Sequence, residues 1–226
     1  MTKARDELSA KVRALPMEKV NKCYSFSLAA ASDNDKTAEN NNPSKEDGKV
    51  SLLDLFQGRK QLIVYHFMLG PDAEEGCVGC SFLGDHIPHL SHLRSMNTNL
   101  VFVSRSPPEK LAAFRERMGW TQVPWYSSLG SDFNYDFQAT QDESVHEIEY
   151  NYDDKATMEA KGLKYNIKGE QPGLSVFLRG DDGKVYHTYS TYARGLDSLL
   201  ITNGLLDVTP LGRQAGISEF KHHDKY

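Results

Sequence analysis

The sequence predicts an α/β protein with a mixed central sheet flanked by helices, and three observations carry that expectation. The run Leu62–Met68 is continuous, β-branched and aromatic, as a strand buried on both faces should be. A helical pattern and a second strand, Leu100–Ser104, follow it, and a further helix follows that, which argues for a right-handed βαβ unit with parallel strands. Finally, Leu174–Leu178 and Lys184–Thr188 flank a Gly180-Asp-Asp-Gly183 turn and read as a β-hairpin.

Taken in order, Leu8, Val12 and Leu15 stand four and three apart, the spacing of an amphipathic helical arm, and Pro16 ends it. Cys23–Leu28 alternates like a half-buried strand. Residues 31–49 contain two alanines as their only apolar members and are expected to form a mobile loop. Val50–Phe56 reads as a short helix or turn before the first buried strand. Beyond it, Leu83, Ile87, Leu90 and Leu93 make one apolar helical stripe, which Pro88 should kink or divide. Ser106-Pro-Pro-Glu109 supplies a capping serine, Pro107 at the first helical position and Glu109 at the third, and Gly119 can close that helix. Residues 138–170 are acidic and polar, with a short helix near Lys155–Lys161, and read as an insertion outside the core. A last helix is expected over Leu196–Ile201. The expected organisation is an N-terminal arm and polar loop (1–49), a main domain (50–214) carrying the insertion, and a polar tail (215–226).

A chain of 226 residues, 39% of them apolar, is long enough to bury a full core in one domain. Its net charge of -5 provides no field to hold phosphate backbones or an anionic membrane surface, so neither nucleic acid nor membrane is an expected partner. The opening MTKARDELSAKVRAL lacks the apolar stretch of a secretory signal, and no run approaches the roughly 20 apolar residues of a membrane span. The expected location is the cytoplasm.

In a reducing compartment, a close cysteine pair points to redox or metal chemistry before a structural staple. Cys77 and Cys80 form such a pair, just after the first buried strand and at the first turn of the next helix. Amide groups at a helix N-terminus stabilise a thiolate there, so Cys77 is the candidate nucleophile and the more shielded Cys80 the resolving thiol. Asp72, Glu74 and Glu75 lie nearby and should oppose ionisation, leaving a modestly activated thiol. Two other readings remain open, that the cysteines are passive apolar fillers or that they bind zinc. His86, His89 and His92 follow at short range, but their spacing on one helix keeps them from converging, and the expectation is no metal.

A Cys-x-x-Cys at the end of the first strand of a β, α, β, α, β, β, α order is the layout of thioredoxin-like folds. Peroxiredoxins share that fold, with a Thr or Ser three residues before the peroxidatic Cys and a Pro seven before. Here those places hold Glu74 and Gly70, so the peroxidase signature is absent.

The segments LIVYHFMLGPD, GCVGCSFLGDHIPHL, VSRSPPEKLAAFRERMGW, PGLSVFLR and VYHTYSTYARGLD resemble the family called domain of unknown function 899. The resemblance runs from about Val50 to Gln214. It implies a thioredoxin-like fold and a dithiol-disulfide oxidoreductase acting through Cys77 and Cys80 without a bound cofactor. A protein or small-molecule disulfide or thiol would be its partner, with an unspecified electron donor. Met17 departs from the aromatic residue common in that family's N-terminal arm.

Three further features carry expectations. Thioredoxin-like folds place a cis-proline before the strand facing the dithiol, and Pro172, just ahead of Leu174, is where it should be, beside Cys77 and free to let a substrate peptide pair with the backbone. Tyr186, Tyr189 and Tyr192 recur every three residues beside Arg194, and either line an aromatic groove, which would suit a binding module with passive cysteines, or pack the hairpin. Asp132 is either a buried acid or a turn residue, and Cys23 should react independently of the pair.

Overall fold

The computed structural model of the chain describes residues 2–29 and 48–226. The polar stretch expected to be a mobile loop lies almost entirely outside the described residues. Helix α1 (Thr2–Arg13) forms as its periodicity requires, but it has no buried residue, so its apolar stripe is not covered by the rest of the described chain. A short edge strand β1 (Glu18–Lys19), which carries no sequence signal, precedes β2 (Ser25–Leu28). Val50–Phe56 divides between β3 (Lys49–Ser51) and a 3-10 turn at Asp54–Phe56.

Strand β4 (Gln61–His66) leads into α2 (Val78–Gly84), and Pro88 separates α2 from α3 (Leu90–Ser95) as expected. Strand β5 (Thr98–Ser104) follows, then α4 (Pro108–Arg117). The start of α4 differs from the serine cap read in the sequence. Pro108 disfavours the α conformation of the residue before it, so Pro107 stays extended (φ -54, ψ 145) and the helix begins one residue late. Ser106 Oγ is buried with no hydrogen-bond partner. Next come β6 (Trp125–Ser127) and α5 (Phe133–Asp136).

The insertion contains β7 (Thr140–Gln141), β8 (Glu149–Tyr150), β9 (Asp153–Asp154), α6 (Lys155–Ala160) and β10 (Gly169–Glu170). Strand β10 pairs with β7 and so closes the excursion at its base. The hairpin is β11 (Gly173–Arg179) and β12 (Val185–Tyr192). A 3-10 segment at Ala193–Leu199 and helix α7 (Ile201–Leu206) replace the single final helix.

Among the described residues, eight strands form one mixed sheet in the order β1-β12-β11-β4-β5-β6-β2-β3. Strands β4, β5 and β6 are parallel, and β11 runs antiparallel to β4 on its other side. A central strand leading into the dithiol helix, a parallel βαβ on one flank and an antiparallel ββα on the other define the thioredoxin-like fold. Alternation along β4 and β5 divides the core. Tyr65, Leu100 and Phe102 join the cluster beneath α2 and α4, while Leu62, Val64, Val101 and Val103 join Phe26, Phe56 and Phe133 on the opposite face. Burial on both faces is why these strands read as unbroken apolar runs.

Candidate active site, a dithiol between two cavities

The end of β4 clamps the first turn of α2. Met68 accepts a hydrogen bond from the Cys77 amide at 3.1 Å, and its own amide donates to Cys80 Sγ at 3.4 Å. Ser81 Oγ donates back to the Cys77 carbonyl at 2.9 Å. Lys110 donates to the carbonyls of Pro71 and Ala73 at 2.7 and 2.9 Å, fixing the loop that leads into the dithiol. Gly76 is required at its place, because a Cβ there would lie 2.7 Å from the rings of both Phe67 and Phe114.

Cys77 is partly exposed and Cys80 is buried. Their acidities diverge. A hydrogen bond from the Cys80 thiol, opposed by burial and aided by the amides of Cys80 and Gly79 and the charge of His222, brings Cys77 down to about 6. Burial pushes Cys80 well up, and the neighbouring Cys77 sulfur adds to this against a hydrogen bond from the Tyr65 hydroxyl. The modest activation expected from sequence is therefore corrected. Glu75, counted as an opposing charge, is tied to Arg117 at 2.9 Å and Lys225 at 2.9 Å, which hold its carboxyl down to about 2. Iodoacetamide alkylation of Cys77 should accordingly rise with pH through a midpoint near 6 and be flat by pH 8. A midpoint near 9 would mean that Cys80 does not donate to Cys77.

The last twelve residues, polar by composition, pack against the dithiol helix. Phe220 stacks on Phe82 with centroids 4.3 Å apart, and Ile217 lies over Gly79. His222, 1% exposed, donates from Nε2 to the Gly76 carbonyl at 2.9 Å. Asp224 pairs with Arg117 at 2.7 Å and His223 with Asp85 at 2.8 Å.

Two cavities meet at the dithiol. One of about 670 Å³ lies between α2, the insertion, the 193–203 segment and the C-terminal segment. Its walls include Cys77, Cys80, Tyr65, Tyr150, Tyr165 and Pro172. The other, about 560 Å³, is more polar and holds Arg105, Lys168 and Glu170. Arg105 pairs with Glu170 at 3.1 Å, and Thr140 donates to the same carboxyl at 2.7 Å, while burial raises the Glu170 pKa. Met68, Cys77 and Tyr165 border both cavities.

Pro172 lies at the dithiol cavity, as its place in the chain suggested, but its peptide bond is trans, since the described residues contain no cis bond. The expected free backbone is also taken. Pro172 O accepts from the Tyr150 hydroxyl at 2.8 Å, and the Gln171 amide donates to Ala139 O at 2.9 Å, so the insertion occupies these groups. Of the two readings of Tyr186, Tyr189 and Tyr192, packing of the hairpin is the one the structure bears out, and they do not line a common groove with Arg194. A spacing of three suits a helix face, whereas a strand alternates in twos, and a bulge further shifts the register between Val176 and Phe177. Tyr186 donates to Asp182 near the turn, and buried Tyr192 donates to Phe137 O. Only Arg194 of that set reaches the cavity, and its side chain is 88% exposed. Asp132 is a surface residue paired with Lys22 at 2.7 Å.

The three histidines behind the zinc reading are held apart. His86 bonds Thr202 at 2.6 Å, His89 accepts from the Ser91 amide and His92 is exposed. No group of three His, Cys, Asp or Glu among the described residues could hold a metal ion. Likewise, no helix among the described residues is long and apolar enough to cross a membrane.

These features belong to a thioredoxin-like chain with a dithiol at the N-terminus of its first core helix. The family described as bacterial protein of unknown function (DUF899) matches residues 36–226, and the chain belongs to it. Among solved structures, AhpC of Enterococcus faecalis is similar at 15% identity, with a TM-score of 0.46 over 85% of this chain and 93% of that one. Peroxidoxin BcpB of Mycobacterium tuberculosis is similar at 13% identity, with a TM-score of 0.41 over 83% of this chain and 95% of that one. No curated protein matches the chain in sequence.

Proposed function

We propose that the protein is a dithiol-disulfide oxidoreductase. The observation that carries this reading is the placement of the pair, with partly exposed Cys77 at the N-terminal end of α2 and buried Cys80 one helical turn further in, and their opposed acidities, Cys77 lowered and Cys80 raised, accord with it. At neutral pH Cys77 is the thiolate and Cys80 the proton-bearing donor. Cys77 attacks a disulfide R–S–S–R, forming a mixed disulfide and releasing one thiolate RS⁻, which takes a proton. Cys80, deprotonated in turn, attacks Cys77 Sγ, closing the Cys77–Cys80 disulfide and releasing the second thiol. The protein dithiol has lost two electrons and the substrate has gained them.

Position also favours a disulfide over a peroxide as the oxidant. The residue three before Cys77 is exposed Glu74, which offers no hydroxyl to polarise a peroxide. Mild oxidation of the reduced protein should consume two thiols per chain and give a Cys77–Cys80 linkage by peptide mass mapping, with exposed Cys23 still alkylatable. A linkage through Cys23, or no loss of thiols, would defeat this reading.

A further inference from the structure

The proposed exchange leaves its substrate class open, and the surroundings of the dithiol narrow it. We infer that Cys77 acts on a small apolar disulfide housed in the 670 Å³ cavity, not on a protein disulfide. The inference rests on the redox reading above.

A protein disulfide reaches a buried-edge sulfur as an extended chain pairing with backbone on either side of it. Both flanks are already filled by this chain. On the proline side, the Gln171 amide and Pro172 carbonyl are bonded to Ala139 and Tyr150, and Gly169–Glu170 pair with Gln141–Thr140. On the helix side, Ile217 covers Gly79, and the Gly76 carbonyl accepts from buried His222. The backbone groups nearest Cys77 on these two flanks, Gln171 N, Pro172 O and Gly76 O, are therefore taken up by the chain itself.

Of the two spaces that open onto Cys77, the 670 Å³ cavity alone also reaches Cys80, and its size suits a small molecule, for which pockets run to about 300–1,000 Å³. Its lining is apolar, with Val78, Leu83, Leu196, Leu200 and Ile217 beside the two cysteines. The polar groups nearest its apolar walls are already partnered, while Arg194 at the rim is turned to solvent. Arg213 is held by Asp197 at 2.9 Å and Asp207 at 2.6 Å, and Asn203 donates to Asp197. The Tyr150 hydroxyl donates to Pro172 O and accepts from the Ala193 amide at 3.2 Å. Against the apolar walls beside the two sulfurs a polar substituent would give up water for no partner, whereas an apolar one gains by leaving water. The reaction is the balanced exchange given above, with R an alkyl group and two molecules of alkanethiol released for each Cys77–Cys80 disulfide formed.

Dipropyl disulfide and bis(2-hydroxyethyl) disulfide match in size and differ by a terminal methyl against a hydroxyl. Single-turnover oxidation of the fully reduced protein by each, and by insulin, is followed by mass, and every rate is divided by that of free dithiothreitol with the same oxidant. The normalised rate should favour dipropyl disulfide by about tenfold, with insulin slower than both. Ile217→Asn, on the exposed side of the wall, should bring that preference towards one while leaving the pH profile of Cys77 alkylation in place. Equal normalised rates, insulin as the fastest oxidant, or a preference unchanged in Ile217→Asn would overturn the apolar assignment and leave the redox reading standing. Failure of all three oxidants to link Cys77 to Cys80 would overturn the redox reading itself.

Discussion

Cys80→Ser should arrest the protein as a mixed disulfide on Cys77, with disulfide turnover reduced by about a thousandfold or more. A resolving thiol one turn away acts at an effective concentration that millimolar external thiol cannot approach. The serine retains a hydroxyl donor where Cys80 donates to Cys77, so alkylation of Cys77 should keep its midpoint near 6. Cys80→Ala removes the donor as well, and there the midpoint should rise. The two variants therefore separate resolution from activation. Full turnover in Cys80→Ser would take the resolving role from Cys80, and equal midpoints in the two variants would take the activating one.

Removal of residues 216–226 should have the second largest effect, because it strips the dithiol of one wall and one charge together. The truncated chain loses the Phe220–Phe82 stack and the hydrogen bond from His222 to Gly76 O. Burial of one phenylalanine and one buried hydrogen bond together amount to about 3 kcal/mol, and the exposed ion pairs of Asp224 and Lys225 add little. For a chain of this size the melting temperature should fall by about 6–12 °C. The Cys77 alkylation midpoint should also rise, since the charge of His222 helps lower it. His222→Gln keeps a donor for Gly76 O without the charge. Its melting temperature should lie closer to the parent's, while its alkylation midpoint moves up with the truncation. A truncated chain with parental melting and an unchanged midpoint would make the segment a passive tail.

The fold was legible where local pattern and global position coincide. Leu62–Met68 and Leu100–Ser104 are buried on both faces, and a strand so placed must be apolar throughout, so its sequence announces its depth. The hairpin was marked by its glycines, and the dithiol by its place between a strand and a helix. The surroundings of the dithiol were harder to read, because they are made by long-range return of the chain. Tyr150 reaches the cavity from a two-residue strand, and nothing in the acidic sequence around it records that Pro172 O lies 2.8 Å from its hydroxyl. Tyr65 was visible only as one member of an apolar run, although the β period places it on the dithiol side of β4. The C-terminal segment looks polar because Ile217 and Phe220, its two contacts with α2, are isolated among charges, and the burial of His222 depends on the Gly76 carbonyl far away in the chain. The tyrosine repeat left a groove and hairpin packing both open, and the strand settles it, since a three-residue period gathers side chains on a helix face and not on a strand.

The measurement closest to the central claim is a redox titration of the protein in glutathione buffers, with acid quenching and thiol trapping. One two-electron couple is expected at a potential between about -270 and -120 mV, retained in Cys23→Ser and absent from both Cys77→Ser and Cys80→Ser. A couple that persists without Cys77 or requires Cys23, or a pair that stays reduced across the whole range, would contradict that claim.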